Sequence, residues 1–282
     1  RPDEMMGRFT ESLLGFFITA VVSVIANGFS IAAITRAVAD SYLGKSIGFL
    51  EAYRKIGNDW SRLIKAMLLS GLLSLGITFW MVIPCIGWIS GFGMLIFYTV
   101  IIAPLVAPVV VLEKQTASNA LNRAWELAHR RFWDLVKFAA LLIFINLVIV
   151  SGPSTLIQFV LQAVLEGTSN VPLTTATTTP YIIQMLVQLL LNLIYQPVSL
   201  TAMTLLYFDL RVRTEGFDLA WLVGHALDEE APDPDTLVQQ APEPSRKVLS
   251  MTKREFGQYV LLSLGAGLLY FVLVAGVGVV SV

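Results

Sequence analysis

WISGFGMLIFYTVIIAPLVAPVVVL, residues 88–112, contains no Asp, Glu, Lys or Arg. A helix that crosses the ~30 Å hydrocarbon layer needs about 20 mostly apolar residues, and this run is longer than that. Five further runs read as spans by the same standard: residues 12–35, 66–84, 138–151, 181–208 and 256–280. The run at 138–151 is short unless it takes in Leu135 and Val136. After it, residues 155–165 are apolar but too short to span. They read as a half-helix lying on or dipping into the membrane, followed by a Thr-rich loop that ends at Pro180. The expected fold class is all-α, a polytopic transmembrane helical bundle with cytoplasmic amphipathic helices.

Composition agrees. The chain has 282 residues, 14% of them charged, and a mean hydropathy of +0.72, whereas a soluble domain carries roughly 25% charged residues. The net charge of −1 gives no basic bias toward nucleic acid. A single cysteine, Cys85, excludes an internal disulfide and any multi-cysteine metal site. Both histidines, His129 and His225, lie in polar segments, which argues against haem or chlorophyll ligation within the spans. No cofactor is expected.

Orientation follows from Lys and Arg in the short loops. Residues 36–65 carry Arg36, Lys45, Arg54, Lys55, Arg62 and Lys65, and residues 113–137 carry Lys114, Arg123, Arg130, Arg131 and Lys137. Both segments belong in the cytoplasm. Residues 84–88 and 151–180 contain neither Lys nor Arg and belong outside. That alternation places the residues before Ser12 outside as well. The chain opens Arg-Pro-Asp-Glu, with no Met and no signal peptide, so the reading expects a further span upstream.

A repeat runs through the first half. An offset of 72 lays Phe49, Tyr53, Ile56, Trp60, Leu63 and Ile64 on Leu121, Trp125, Ala128, Phe132, Leu135 and Val136, with Lys65 on Lys137. Spacings of four and three put each set on one helical face, with charged residues opposite. The repeated unit reads as an amphipathic helix feeding a span. Three segments follow: residues 1–224, a membrane bundle of five spans; residues 225–255, an acidic, Pro-rich cytoplasmic linker; and residues 256–282, an additional C-terminal transmembrane helix.

The run PLVAPVVVLEKQTASNALNRAWELAHRRFWDLVKF, residues 104–138, and the run LTAMTLLYFDLRVRTEGFDLAWL, residues 200–222, resemble a bacterial integral membrane family. That family is named for the membrane domain of glycerophosphoryl diester phosphodiesterase. The resemblance covers roughly residues 16–222. It implies a membrane fold of the bacterial inner membrane, without the phosphodiesterase chemistry, which belongs to a soluble domain this sequence does not contain.

No charged residue falls in the middle of a span. The polar residues there are Asn27, Asn146, Gln184, Gln188 and Asn192. The last three, four apart, read either as a stripe lining a substrate path or as interhelical glue. Pro104, Pro108 and Pro197 read as kinks rather than breaks around a binding site. Gly87 with Gly91, and Ser263 with Gly267, suit close helix contacts. Trp60, Trp125 and Trp133, beside Arg130 and Arg131, suit helices in the headgroup layer or docked beneath the bundle. Arg211 and Arg213, alternating with Asp209 and Glu215, suit interfacial anchoring or anionic lipid.

These features point to a non-enzymatic protein in contact with the lipid bilayer and with other membrane-protein subunits, an accessory or scaffold subunit of a larger complex. The alternative is a transporter or lipid-handling protein. An acidic Pro-rich segment buries too little to order itself. Residues 228–244 are therefore expected to lie against another polypeptide, and the last span to make much of its contact there.

Overall fold

The structure, a computed structural model, describes residues 60–166, 173–219 and 234–280, together with 28, 30–44, 48, 51, 53, 54, 57 and 222. Most of the expected first span, most of the first amphipathic copy and residues 225–233 of the linker lie outside the described residues. Among those described, the regular elements are helices throughout and no strand occurs. Hydrocarbon offers no hydrogen-bond partner to a backbone, so a spanning segment must pair its own amides and carbonyls, and the helix does so.

Residues 30–42 are helical, and the helices that follow are α1 (Trp60–Trp80), α2 (Ile86–Phe97), α3 (Ala103–Glu113), α4 (Ala117–Arg130), α5 (Phe132–Asn146), α6 (Gly152–Glu166), α7 (Leu173–Glu215), α8 (Pro234–Gln239) and α9 (Lys253–Val280). A π turn, Tyr98–Ile102, joins α2 to α3, and a second, Leu147–Ser151, joins α5 to α6. Each stands just before a proline, Pro104 or Pro153. A helical proline clashes with the carbonyl four residues back. Here those carbonyls belong to Val100 and Ile149, inside the widened turns. Pro108 lies inside α3 and Pro197 inside α7, so the helices continue past every proline that was read as interrupting a span.

Four helical stretches are long and apolar enough to cross a membrane: Trp60–Trp80, Ile86–Glu113, Phe132–Leu165 and Thr178–Glu215. The chain is a multi-pass membrane protein. Two expectations are corrected. Residues 155–165 are not a separate half-helix, because the π turn carries α5 directly into α6. The Thr-rich stretch before Pro180 is not a loop either, because α7 begins at Leu173.

Close contacts divide the chain into two units, residues 132–203 and the remainder, with the boundary inside α7. In the larger unit α3 is the core. Every residue from Leu105 to Glu113 is buried, beneath α1, α4 and α8. Lys114 adopts the left-handed conformation and ends α3, so α4 folds straight back against it. The apolar stripe of α4, Leu121, Trp125 and Ala128, is buried, at 4% exposure or less. On α2, Ile86, Trp88, Ile89 and Phe92 are exposed, the pattern of a helix facing lipid in its first half and protein in its second.

In the smaller unit, α5 and α7 meet where the Tyr195 hydroxyl donates to the Leu142 carbonyl at 3.0 Å. Only 22% of the apolar window of Phe132–Leu165 and 17% of that of Thr178–Glu215 is buried, against 67% for Ile86–Glu113. These two helices present most of their apolar surface outward.

Candidate functional site

Charged side chains at the C-terminal ends of α3 and α7 meet Arg123 from the middle of α4, and there they pair. Glu113, Arg123 and Arg211 are 4%, 1% and 3% exposed. Arg123 Nη2 lies 2.5 Å from Glu215 Oε1, and Arg123 Nε lies 3.4 Å from Glu113 Oε2. The Tyr207 hydroxyl donates to Glu113 Oε1 at 2.8 Å. Arg211 pairs with Glu215 at 3.2 Å, donates to the Val238 carbonyl of α8 at 2.8 Å, and stacks over the Phe217 ring at 4.7 Å. Two arginines and two glutamates make the cluster formally neutral. Its chemistry is that of a clasp between helix ends, since each carboxylate already holds a cation.

A second clasp holds the tail. Asn122, Glu126 and Arg130 follow one another at spacings of four on the polar face of α4. Ser245 donates to Glu126 through its backbone N–H at 2.8 Å and its hydroxyl at 2.9 Å. Arg130 pairs with the same carboxylate at 2.7 Å, and the Val248 N–H donates to Asn122 Oδ1 at 2.8 Å. Burial pushes the Glu126 carboxyl up, but the hydrogen bonds from Arg130 and Ser245 outweigh it and hold the group below its ordinary value. One turn along, His129 Nδ1 lies 2.7 Å from the Trp125 carbonyl and Nε2 lies 2.7 Å from the Tyr259 hydroxyl of α9. A carbonyl can only accept, so the proton sits on Nδ1 and Nε2 accepts from Tyr259. Burial depresses His129 below its ordinary value of 6.5.

α9 starts at a capping box. The Glu255 N–H donates to Thr252 Oγ1 at 3.3 Å, and the Thr252 N–H donates to Glu255 Oε2 at 2.7 Å. Farther along, Ser263 Oγ accepts from the Gly93 N–H at 2.6 Å. A Cβ at Gly93 would collide with the Tyr259 carbonyl, whereas one at Gly267 would meet nothing. The close contact therefore uses Ser263 with Gly93, and Gly267 has no part in it. Gly87 and Gly91 do pack tightly, against Trp80 and Met81.

The tail finds partners within its own chain. Its described residues are held by α4 and α7 of the same chain, and α9 lies along α2. Ser245 and Val248 offer backbone donors to side chains on α4, which fastens a segment that buries little apolar area.

The proposed lipid-contact residues separate. Trp125 is wholly buried, its ring 4.5 Å from His129, and Arg211 lies inside the ion cluster, so neither reaches lipid. Trp133 is 44% exposed. Arg213 is exposed and pairs with Asp209 at 2.6 Å. Trp60 and Arg131 are partly buried, Trp60 stacking with Tyr53. Arg130 is shared between Glu126 and the Thr214 carbonyl.

Of the intramembrane amides, Asn146 Oδ1 accepts from the Ser151 hydroxyl at 3.2 Å, and Asn192 donates to the Gln188 carbonyl at 2.9 Å. The Gln184 and Gln188 side chains make no hydrogen bond among the described residues, and Gln188 is exposed. Asn27 lies outside the described residues.

An open cleft of about 330 Å³ lies between α1, α2 and α9, lined by Leu73, Gly76, Ile77, Trp80, Met94 and Phe256 among others. Its polar lining groups are already engaged: Ser90 Oγ accepts from Trp80 Nε1 and donates to the Ile86 carbonyl, and Tyr259 donates to His129. Among the described residues no group of three His, Cys, Asp or Glu side chains is placed to hold a metal. No family model, curated protein or solved structure matches the chain.

Proposed function

We propose that this protein is a non-enzymatic accessory or scaffold subunit of a larger membrane assembly, of the bacterial inner membrane type that residues 104–138 and 200–222 resemble. The observation that carries this reading is the outward face of α7. Gln188 is exposed and Gln184, one turn before it, is half-buried, on a span whose most apolar window is 17% buried, and neither side chain has a hydrogen-bond partner among the described residues. An amide facing hydrocarbon loses the hydrogen bonds it has in water, and a helix of a neighbouring subunit restores them. The buried charges support the same reading, because they are consumed in clasps that hold helix ends together.

Replacing Gln184 and Gln188 by Leu removes both amides and leaves the apolar face intact. The double variant is expected to insert normally but to lose its co-purifying membrane partner in mild detergent. Full recovery of the partner would overturn the proposal. A second reading, a lipid-handling or transport protein, is favoured by one observation, the apolar cleft between α1, α2 and α9.

A further inference from the structure

The cleft has a feature that lining alone does not explain. Two of its walls are transmembrane helices, and the third is made by Leu249 and Met251, from the segment that leads into α9, and by Phe256 in the first turn of α9. Both Leu249 and Met251 lie two positions from a lysine, Lys247 on one side and Lys253 on the other, and Arg254 follows. All three cations are exposed, and none forms an ion pair among the described residues. Arg246 differs, for Glu255 neutralises it at 2.6 Å. Leu249 holds a φ of +66° and remains 47% exposed. That left-handed conformation is costly for a bulky residue, and it occurs where the segment meets the cleft.

We propose that the cleft and the cations Lys247, Lys253 and Arg254 together form a binding site for one anionic phospholipid. An acyl chain fills the groove along Leu73, Gly76 and Met94, and the phosphate rests among the three cations. Charge complementarity selects this occupant. A helix of another protein would cover the apolar groove but leave three cations unanswered, and a zwitterionic lipid answers them only in part. The volume is near the lower end of ordinary ligand pockets, which suits one chain rather than a whole lipid. The inference stands apart from the subunit reading, since a site for one lipid neither needs nor excludes a protein neighbour.

Two variants address the two halves of the site. Lys247→Gln, Lys253→Gln and Arg254→Gln together remove the charge. Gly76→Phe fills the groove, and it does so without a clash because a Cβ there meets nothing within 4 Å; glycine inside a helix gives way readily to other residues. The full chain is reconstituted with phosphatidylglycerol and phosphatidylcholine in equal amounts, extracted in mild detergent, and weighed with its bound lipid by native mass spectrometry. One retained phosphatidylglycerol per chain is expected. The preference over phosphatidylcholine should fall roughly fivefold for each charge removed, and Gly76→Phe should abolish retention with the cations intact. Equal retention of both lipids, or retention unchanged in Gly76→Phe, overturns the site. Thermal stabilisation by water-soluble glycerophosphoglycerol equal to that by the lipid overturns it as well, because the acyl groove would then contribute nothing.

Discussion

The Tyr259 hydroxyl lies 2.7 Å from His129 Nε2, joining residues 130 positions apart. This contact ties the last helix to α4, and Phe97 of α2 packs edge-on against both rings, at 5.8 Å from Tyr259 and 5.9 Å from His129. α9 therefore enters the protein at a point where three helices meet.

That junction should respond to pH. Burial holds His129 below 6.5 while Glu255 opposes the shift and Arg246 adds to it. The unfolded chain then binds the proton more readily than the folded one. The stability contributed by neutral His129 is complete above about pH 6.5 and is lost as pH falls below that value. The melting temperature in detergent should drop between pH 7.5 and pH 5.5, and His129→Gln should remove much of that drop. Tyr259→Phe leaves a buried acceptor without a donor and should cost about 1–3 kcal/mol at pH 7.5.

The ion cluster should be intolerant of one-sided change. Arg123→Met takes the paired cation from buried Glu113 and leaves Glu215 to Arg211 alone, a loss of about 3–5 kcal/mol. The exposed pair Arg213–Asp209 is worth about 1 kcal/mol or less, so Arg213→Ala should fold almost normally. Comparing detergent-solubilised yield and melting temperature of the two variants checks the contrast. Equal effects would mean that the buried pairs carry no special weight.

The tail clasp is a separate test. Glu126→Ala removes the acceptor for both Ser245 donors and for Arg130. Limited proteolysis should then cut within residues 240–252 much faster than in the parent protein, while α9 stays associated through Ser263 and Tyr259. Unchanged cleavage would mean that the clasp does not order the tail.

Much of the fold is legible because the bilayer imposes one rule on every span. Leu63 and Leu135 stand 72 positions apart, the offset at which the stripes repeat, and are each 1% exposed. The joined helix across residues 147–151 does not show as one apolar run, because Ser151, Gly152, Pro153 and Ser154 interrupt the hydrophobic stretch, whereas a π turn absorbs the proline. The tail contacts had a local signal that went unread: Thr252 and Glu255 have capping-box spacing, and Asn122, Glu126 and Arg130 form a polar ladder. Their pairing with residues 245 and 248 is not local, since more than a hundred residues intervene. The ion cluster was missed for the same reason, because Glu113 and Tyr207 become neighbours only after folding.

Orientation has its own test. The Lys and Arg asymmetry predicts that Arg130 and Arg131 face the cytoplasm and residues 174–179 the outside. A cysteine at Thr177, with Cys85 replaced by Ser, should react with an impermeant maleimide on intact cells. Reaction only after the membrane is breached would reverse the topology.

The subunit account stands or falls on what faces α7 in the membrane. A photo-crosslinking residue at Gln188 in living cells should capture a second membrane polypeptide, and the same group at Leu193, which is 72% exposed and five positions along the helix, should yield mainly lipid adducts. Mass spectrometry of the captured band names the neighbour. A protein crosslink at 188 that disappears in the Gln184→Leu background is the predicted result; lipid adducts alone at both positions would contradict the account.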